Sequence, residues 1–371
     1  MLGLVADDLT GAGDASVQFA QRGWNTFLTL ARLKPGTADI LAPVVPGFSR
    51  AVMAVTTDCR ALADHTAENL TAEAVSALIE LGADSLFLKI DSTMRGSVPG
   101  QIAGALAAWR TKHPDARAVV CPAYPRMGRT VESNQLLVRG EPVNRTAIAH
   151  DPVTPVLTSD MTELLPASGH ITVVDAATDA DLLAIAASIS AAGQSLVSVG
   201  SGGLAAALAE VWSAGNVRLK PGHTLFAKGS DSRILLQVSS LNPVSHAQVA
   251  LLAAAFPDVV VLSTPEQPSE NLAGSQGTTR AADVAADLAR RFADRIDRER
   301  FDVIGLIGGD GARETLRQLG ASGIRVVDSL LEGVPLGVVA GGRVDGMTVF
   351  TKAGGFGAED ALVRCVERIR A

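Results

Sequence analysis

Lys89-Ile-Asp-Ser-Thr-Met-Arg-Gly96 places a lysine, an aspartate, two hydroxyls and an arginine directly behind the apolar run 85–88. Polar groups of both charges at the end of a buried strand suit a ligand site, because in open α/β sheets the ligand crevice lies beyond the carboxyl ends of the strands. An ordinary turn, with Ser97 as N-cap and Lys89 and Arg95 in solvent, would use the same residues without function. A second turn shifts the balance. The apolar run 2–6 leads into Asp7-Asp-Leu-Thr-Gly-Ala-Gly-Asp14, ahead of a helix expected over 15–21. Two adjacent carboxylates are costly to bring together unless a cation or a substrate hydroxyl uses them. Gly11 and Gly13 let backbone N–H groups approach an anion at the coming helix N-terminus. Capping by Thr10 or Asp14 accounts for one polar residue but not for the pair Asp7 and Asp8.

The second half of the chain carries three small-residue turns at strand ends: Ser239-Ser-Leu-Asn-Pro243, Gly308-Gly-Asp-Gly311 and Ala353-Gly-Gly-Phe-Gly357. No G-x-x-x-x-G-K-[ST] sequence is present, so a P-loop of the usual kind is excluded. Backbone N–H groups in turns that lead into helices bind phosphate without one. Lys352, beside the third turn, reads as an exposed lysine or as one that reaches phosphate. The histidines, His65, His113, His150, His170, His223 and His246, form no metal-ligand pattern, and no metal ligands are assigned.

The elements that must hold these turns follow from composition and rhythm. Hydrophobic residues make up 47% of the 371-residue chain and aromatics only 4%, so the cores are built from Ala, Val, Leu and Ile, as in parallel strands buried under helices. Short apolar runs (2–6, 26–30, 52–56, 85–90, 118–121, 171–174, 196–199) alternate with helical-period segments such as 63–81, 98–110 and 179–192. Residues 129–138 alternate as a hairpin, an interruption near the site. The stretch 214–233 is rich in glycine and lacks a period, which makes it the linker. Beyond it, strands at 234–238, 259–262, 303–307, 324–327, 336–339 and 348–350 build a second α/β unit. The fold class is therefore α/β, with two domains, 1–213 and 234–371, each a mainly parallel sheet flanked by helices, and the active site expected in the cleft between them.

A net charge of −7 without a long basic run argues against nucleic acid as partner. Cys59, Cys121 and Cys365 lie far apart, so neither a disulfide framework nor a zinc site is expected. Without an apolar run of membrane-spanning length or a basic leader at Met1, the chain reads as a cytoplasmic protein with no membrane partner. A small ligand is the expected partner, and a homo-oligomer stays open.

Ala6-Asp-Asp-Leu-Thr-Gly-Ala12, Lys89-Ile-Asp-Ser-Thr-Met-Arg-Gly96, Cys121-Pro-Ala-Tyr-Pro-Arg-Met-Gly-Arg-Thr130 and Thr351-Lys-Ala-Gly-Gly-Phe-Gly357 resemble, in order and rough spacing, the four-carbon acid sugar kinase family. The resemblance runs from the first residues to the last helix. It implies an N-terminal sugar-binding domain, a C-terminal nucleotide-binding domain, and phosphorylation of the terminal hydroxyl of threonate, erythronate or 3-oxo-tetronate by ATP with Mg²⁺. It also implies that Asp7 or Asp8 orients or deprotonates the hydroxyl while Lys89 neutralises developing charge. Arg60, Lys89, Asp91, Ser92 and Arg95 bind the acid, the arginines as forks for its carboxylate, although each arginine could instead be a surface ion pair, and for Arg60 only the resemblance tips the reading toward the ligand. Ser240, Gly308, Gly309, Asp310, Gly311 and Gly355 hold ATP. The family has Gly-Ser-x-Ser or Gly-Ser-x-Thr where this chain has Ser239-Ser-Leu-Asn242, and commonly a threonine where Gly311 stands. Those departures leave a non-catalytic sugar-acid-binding protein as an alternative. A ribokinase-like sugar kinase is another, since Thr10-Gly-Ala-Gly-Asp14 resembles that family's anion hole, although there the motif comes late in the chain. The acid and its stereochemistry are not legible.

Overall fold

The computed structural model of the chain describes residues 1–37, 50–165, 168–214, 229, 231–264 and 275–371, with backbone alone over 275–282. The chain divides into two compact units, Met1–Leu219 and Lys220–Ala371. Most of the linker expected over 214–233 lies outside the described residues.

The first unit runs β1 (Leu2–Ala6), α1 (Leu9–Ala20), β2 (Asn25–Thr29), β3 (Ala51–Thr56), α2 (Asp64–Glu80), β4 (Ser85–Lys89), α3 (Val98–Trp109), β5 (Arg117–Cys121), β6 (Arg129–Glu132), β7 (Gln135–Val138), β8 (Glu141–Pro142), α4 (Met161–Leu164), β9 (Ile171–Val173), α5 (Asp179–Ala192), β10 (Leu196–Gly200) and α6 (Gly202–Ser213). Its sheet has the order β2-β3-β1-β4-β10-β5-β9, every pair parallel. Every residue of β1 and β3 is buried. This is why their sequences are continuous apolar runs and do not alternate, since both sheet faces are covered by helices.

From β1 the chain builds β2 and β3 on one side, then crosses to β4 on the other. That reversal makes a crevice beyond the carboxyl ends of the flanking strands, the usual place for a ligand in such sheets. The turns after β1, β3 and β4 all open there, and they carry Asp7 and Asp8, Arg60, and Lys89 to Gly96 respectively. Close packing of the next helices fixes the last two turns together. Ideal β-carbons on Gly100 and Gly104 of α3 would lie 2.2 and 2.1 Å from the Asp64 and Glu68 carbonyl oxygens of α2, so only glycine lets these helices pack so closely.

The hairpin expected over 129–138 is present as an antiparallel β6-β7-β8 sheet. Ser133 and Asn134 at its tip both have positive φ, as a two-residue type I′ turn requires.

The second unit runs β11 (Ile234–Val238), α7 (Pro243–Ala255), β12 (Val260–Ser263), α8 (Ser275–Arg298), β13 (Val303–Ile307), α9 (Gly309–Gln318), β14 (Gly323–Leu331), β15 (Val334–Ala340), β16 (Thr348–Lys352) and α10 (Ala361–Arg370). Its strand order is β12-β11-β13-β16-β15-β14, parallel through β16 and antiparallel for β15 and β14. Ile234, Leu236, Val303, Ile307, Phe350, Leu362 and Val366 pack in one core between sheet and helices. Here too the order reverses, from β12 on one side of β11 to β13 on the other. The turns after β11, β13 and β16, the three small-residue turns of the sequence, therefore leave neighbouring carboxyl ends. No helix among the described residues is long and apolar enough to cross a membrane.

Candidate active site

The carboxylates at the end of β1 are gripped by one arginine. Arg60 Nε and Nη2 donate to Asp7 Oδ2 and Oδ1 at 2.7 and 2.8 Å, and its Nη1 lies 2.6 Å from Asp8 Oδ2. Asp7 is wholly buried, whereas the side chain of Asp8 keeps 20% of its exposure. Asp8 is also the N-cap of α1, its Oδ1 accepting from Gly11 N and, at 3.3 Å, from Thr10 Oγ1. The helix thus begins at Leu9, not at residue 15 as expected, and Gly11 and Gly13 are helical. The need for glycine at Gly11 is room: a β-carbon there would lie 2.7 Å from Asp8 Oδ1, 3.2 Å from Lys89 Nζ and 3.8 Å from Asp7 Oδ1. Lys89 Nζ and an oxygen of each carboxylate therefore border the same point over the first turn of α1, while the Nζ itself donates to Ile90 O at 2.9 Å.

The turn after β4 is a second closed ion pair. Arg95 presents Nε and Nη2 to Asp91 Oδ2 and Oδ1 at 3.1 and 2.9 Å, and its Nη1 reaches Asp151 at 3.2 Å. Thr93 donates to Asp91 through its backbone N at 3.1 Å and through its hydroxyl. Ser92 is half-buried and stays outside this web among the described residues. Gly96, with φ of +91°, brings the turn against the Arg60 backbone: a β-carbon there would lie 2.7 Å from Arg60 O. Of the two expectations for Arg60 and Arg95, fork for a substrate carboxylate or ion pair, the described contacts are ion pairs with the chain's own aspartates, partly buried and not at the surface.

Burial and pairing set the charges. Burial pushes the Asp7 carboxyl above its ordinary range even though Arg60 pulls it down. Burial also acts to raise Asp91, but Arg95, Arg60 and the Thr93 hydroxyl outweigh it and hold that carboxyl well below the usual range. Burial would likewise lower Arg60, yet Asp7, Asp8 and Asp91 keep its guanidinium well above the ordinary value.

The turns of the second unit contain few charges. Gly308, at φ of +104°, leads into α9, so Gly309, Asp310 and Gly311 form the first turn of a helix and not a loop. Ser239 Oγ donates to Ile307 O at 3.0 Å, and a β-carbon on Gly311 would lie 2.2 Å from Ser239 Oγ. Asn242 is the N-cap of α7, its Oδ1 accepting from Val244 N at 3.0 Å, and Ser240 Oγ accepts from Asn242 N at 3.2 Å. A β-carbon on Gly354 or Gly355 would meet Ser240 Oγ at 1.8 Å or Asn242 Nδ2 at 2.9 Å, so the first and third turns are in contact.

Lys352 differs from both sequence expectations. It is fully buried, and its Nζ donates to Ala353 O at 2.9 Å, Gly354 O at 3.2 Å and Phe356 O at 2.7 Å. Ser245 Oγ also donates to Gly354 O, and Gln248 Nε2 to Phe356 O and Ala358 O. A peptide's N–H points opposite to its C=O, so pinning these carbonyls inward turns the N–H groups of Gly354, Gly355 and Gly357 outward. None of those three N–H groups has an acceptor among the described residues. Successive outward N–H groups form a concavity suited to an anion. Burial lowers the Lys352 pKa to about 8.

The sequence reading gave no role to Ser245, Gln248, Thr93 or Asp151. Thr93 is one of the two hydroxyls noted in the 89–96 stretch, whereas Ser245, Gln248 and Asp151, which follows His150, lie outside every polar cluster singled out there. His150 itself is exposed.

A model of a sugar-binding N-terminal domain matches residues 2–170, and one of a nucleotide-binding C-terminal domain matches residues 242–362. The chain is similar to a D-threonate kinase of Bordetella bronchiseptica, 36% identical across 100% of this chain and 97% of the relative. A D-erythronate kinase of Heliobacterium modesticaldum is 28% identical, with 98% and 96% covered. A 3-oxo-tetronate kinase of Methylobacterium radiotolerans is 24% identical, with 99% and 98% covered. Among solved structures, a Bordetella bronchiseptica domain of unknown function, a domain-swapped dimer with bound citrate, matches at a TM-score of 0.52 and 36% identity over 100% of this chain and 98% of that one. A protein from Salmonella typhimurium described as a putative tRNA synthase matches at 0.73 and 19% identity over 98% of each chain, a likeness of fold alone.

Proposed function

The chain belongs to the four-carbon acid sugar kinase family, and on that premise we propose that it transfers the γ-phosphoryl group of ATP to the terminal 4-hydroxyl of a sugar acid such as threonate, erythronate or 3-oxo-tetronate. The observation that carries this reading is the convergence of Asp7, Asp8 and Lys89 over the first turn of α1, with Arg60 gripping both carboxylates.

The partition of roles follows from exposure. A general base must come within hydrogen-bond reach of the proton it takes. Asp7 is wholly buried with both oxygens on Arg60, so its part is to hold that guanidinium. Asp8 is the carboxylate that faces outward, and it orients the acceptor hydroxyl and takes its proton. Lys89 offsets the negative charge that gathers on the attacking oxygen. In phosphoryl transfer such positioning and charge neutralisation are most of the protein's contribution. Ser92 adds a hydroxyl for the acid. The closed pair of Arg95 and Asp91 keeps that turn rigid.

The second unit suits the donor. The outward N–H groups of Gly354, Gly355 and Gly357, the α9 N-terminus at Gly309 to Gly311 and the Ser240 hydroxyl fit the phosphates of a nucleotide. ATP would supply the phosphoryl group, and Mg²⁺ held with it would neutralise phosphate charge. Among the described residues no group of three or more His, Cys, Asp or Glu could hold a metal. Magnesium binds readily through phosphates and water, so it would arrive with the nucleotide. The citrate-bound relative supports an acid as ligand, and its domain swap supports self-association, which sedimentation would read directly.

The test is ATP turnover with a panel of tetronates and the matching neutral tetritols, with and without a chelator. Metal-dependent turnover of an acid is expected. Turnover unchanged in excess chelator, or absent for every acid, would sink the reading.

A further inference from the structure

If both forks expected for the substrate carboxylate are closed on internal aspartates, the carboxylate needs another receptor. Arg129 meets the requirements. It opens β6, just beyond the carboxyl end of β5, on the same sheet edge as the turns after β1 and β4. Its backbone is fixed by paired bonds with Tyr124, Tyr124 N to Arg129 O at 2.8 Å and Arg129 N to Tyr124 O at 3.1 Å. Met127 O accepts from its Nη1, while its Nε is sealed from solvent and has no hydrogen-bond partner. No carboxylate lies within ion-pair distance of it among the described residues, unlike Arg60 and Arg95. Burial works against its charge, as do Arg139 and Arg95, and Asp91 is the acidic group that faces it. An arginine stays protonated in a protein, so a partly buried guanidinium in this setting gains most from an incoming anion.

We propose that Arg129 is the receptor for the carboxylate of the acceptor substrate, with the terminal hydroxyl placed at Asp8 and Lys89. The proposal rests on the sugar-acid kinase reading above. The span is suitable. β1 and β5 are three places apart in the sheet order, about 14 Å at the usual strand spacing. An arginine side chain reaching in from one side and an extended four-carbon acid bridge that gap together. Specificity for acids over polyols would then reside in the loop after β5, while the β1 and β4 turns serve the hydroxyl end.

Calorimetric binding of threonate, erythronate and 3-oxo-tetronate, together with their C1 amides, by wild type, Arg129→Gln and Arg129→Lys decides the matter. A hydrogen bond to a charged group is worth enough to predict a loss of about ten- to hundredfold in acid affinity for Arg129→Gln. Arg129→Lys, with charge but no fork, falls between. The amide should bind wild type as weakly as the acid binds Arg129→Gln, and that variant should no longer separate acid from amide. Nucleotide affinity and melting temperature should stay at wild-type values. Unchanged acid affinity in both variants overturns the proposal alone. Failure of wild type to bind any of the acids overturns the kinase reading and this proposal with it. If Arg129→Gln does not fold, Arg129→Lys and the acid-to-amide ratio of wild type still decide, because a wild type that binds both forms equally has no carboxylate receptor.

Discussion

The turns of the first unit present side chains at their open ends, those of the second backbone. Around Asp7, Asp8 and Asp91, charge faces charge: two arginines close on carboxylates and a lysine stands beside them. Around Gly354 the groups turned outward are peptide N–H, and the buried Lys352 donates to the turn's carbonyls and holds it in shape. The contrast matches what each ligand offers. Threonate and erythronate differ only in the configuration of one carbon, and only placed side chains separate such ligands. Phosphate is recognised by its charge and its oxygens, which a concave backbone meets at little cost in order. Substitutions in the first region should therefore act on the chemical step and on the acid, and those in the second on the nucleotide.

The largest effect is expected at Asp8. Asp8→Asn keeps the helix cap, since Asn caps as well as Asp, and removes the base. The turnover number should fall by about 10²–10⁴-fold with nucleotide affinity unchanged. A variant with near-normal turnover would reduce Asp8 to a cap and break the contrast at its strongest point. Asp7→Asn should separate folding from chemistry. It takes a wholly buried carboxylate from Arg60, and removing one member of a buried ion pair costs about 3–5 kcal/mol, toward the low end here because Asp8 still holds the guanidinium. Urea unfolding measures it.

Next comes Lys352. Lys352→Met takes one donor from each of three inward carbonyls, leaving them Phe356 N, Ser245 Oγ and Gln248 Nε2, and loosens the peptide planes of the turn. The nucleotide KM should rise by about tenfold or more while the KM for the acid stays put. A lysine that touched phosphate directly would lower the turnover number as well. The pH dependence sharpens this. The Lys352 pKa falls from 10.5 to about 8 in the folded chain through burial. Between those values the unfolded chain binds more protons, so this group's contribution makes stability rise with pH from about 8 to 10.5 and level off above. The titratable group facing this ammonium is the Cys365 thiol on α10, pushed up to about 12 by burial and therefore neutral over this interval. Over the same interval the amine loses one of its three N–H donors, so the nucleotide KM should worsen as the fold tightens. The difference in melting temperature between wild type and Lys352→Met, followed against pH, checks the first trend, and KM against pH checks the second.

Both regions were legible in the sequence because polar residues and glycines cluster where apolar runs stop, and the strand pattern predicted both α/β units. Direction was not legible. Arg60 reads as a surface or ligand arginine until folding brings it to Asp7, 53 residues away in the chain. Lys352 bonds to carbonyls, and carbonyls are the same at every residue, so no side-chain pattern announces the contact. Gly11 and Gly311 suggested loops because glycine is read as conformational freedom. Both are helical, and what they provide is space, for Lys89 and Asp8 in one case and for Ser239 in the other. Packing of that kind depends on a neighbouring turn, which local spacing cannot show.

The smallest effects test whether departures from the family's loop pattern matter. Sequence alone suggests that Asn242→Ser and Gly311→Thr would restore hydrogen bonds to the nucleotide. The structure separates the two. Gly311 has no positive φ to protect, but its β-carbon would fall 2.2 Å from Ser239 Oγ, which is itself tied to Ile307 O. Gly311→Thr should therefore overpack the turn, at a cost of about 1–3 kcal/mol, and weaken nucleotide binding. Asn242→Ser keeps an N-cap of equal rank, so stability should move by only a few tenths of a kcal/mol. What it removes is the amide nitrogen, which borders the place where a Gly355 β-carbon would sit. If the third turn binds phosphate through backbone alone, calorimetry will find nearly the same ATP affinity for Asn242→Ser and wild type. A tenfold loss would make Asn242 a side-chain ligand and blur the contrast between the two regions.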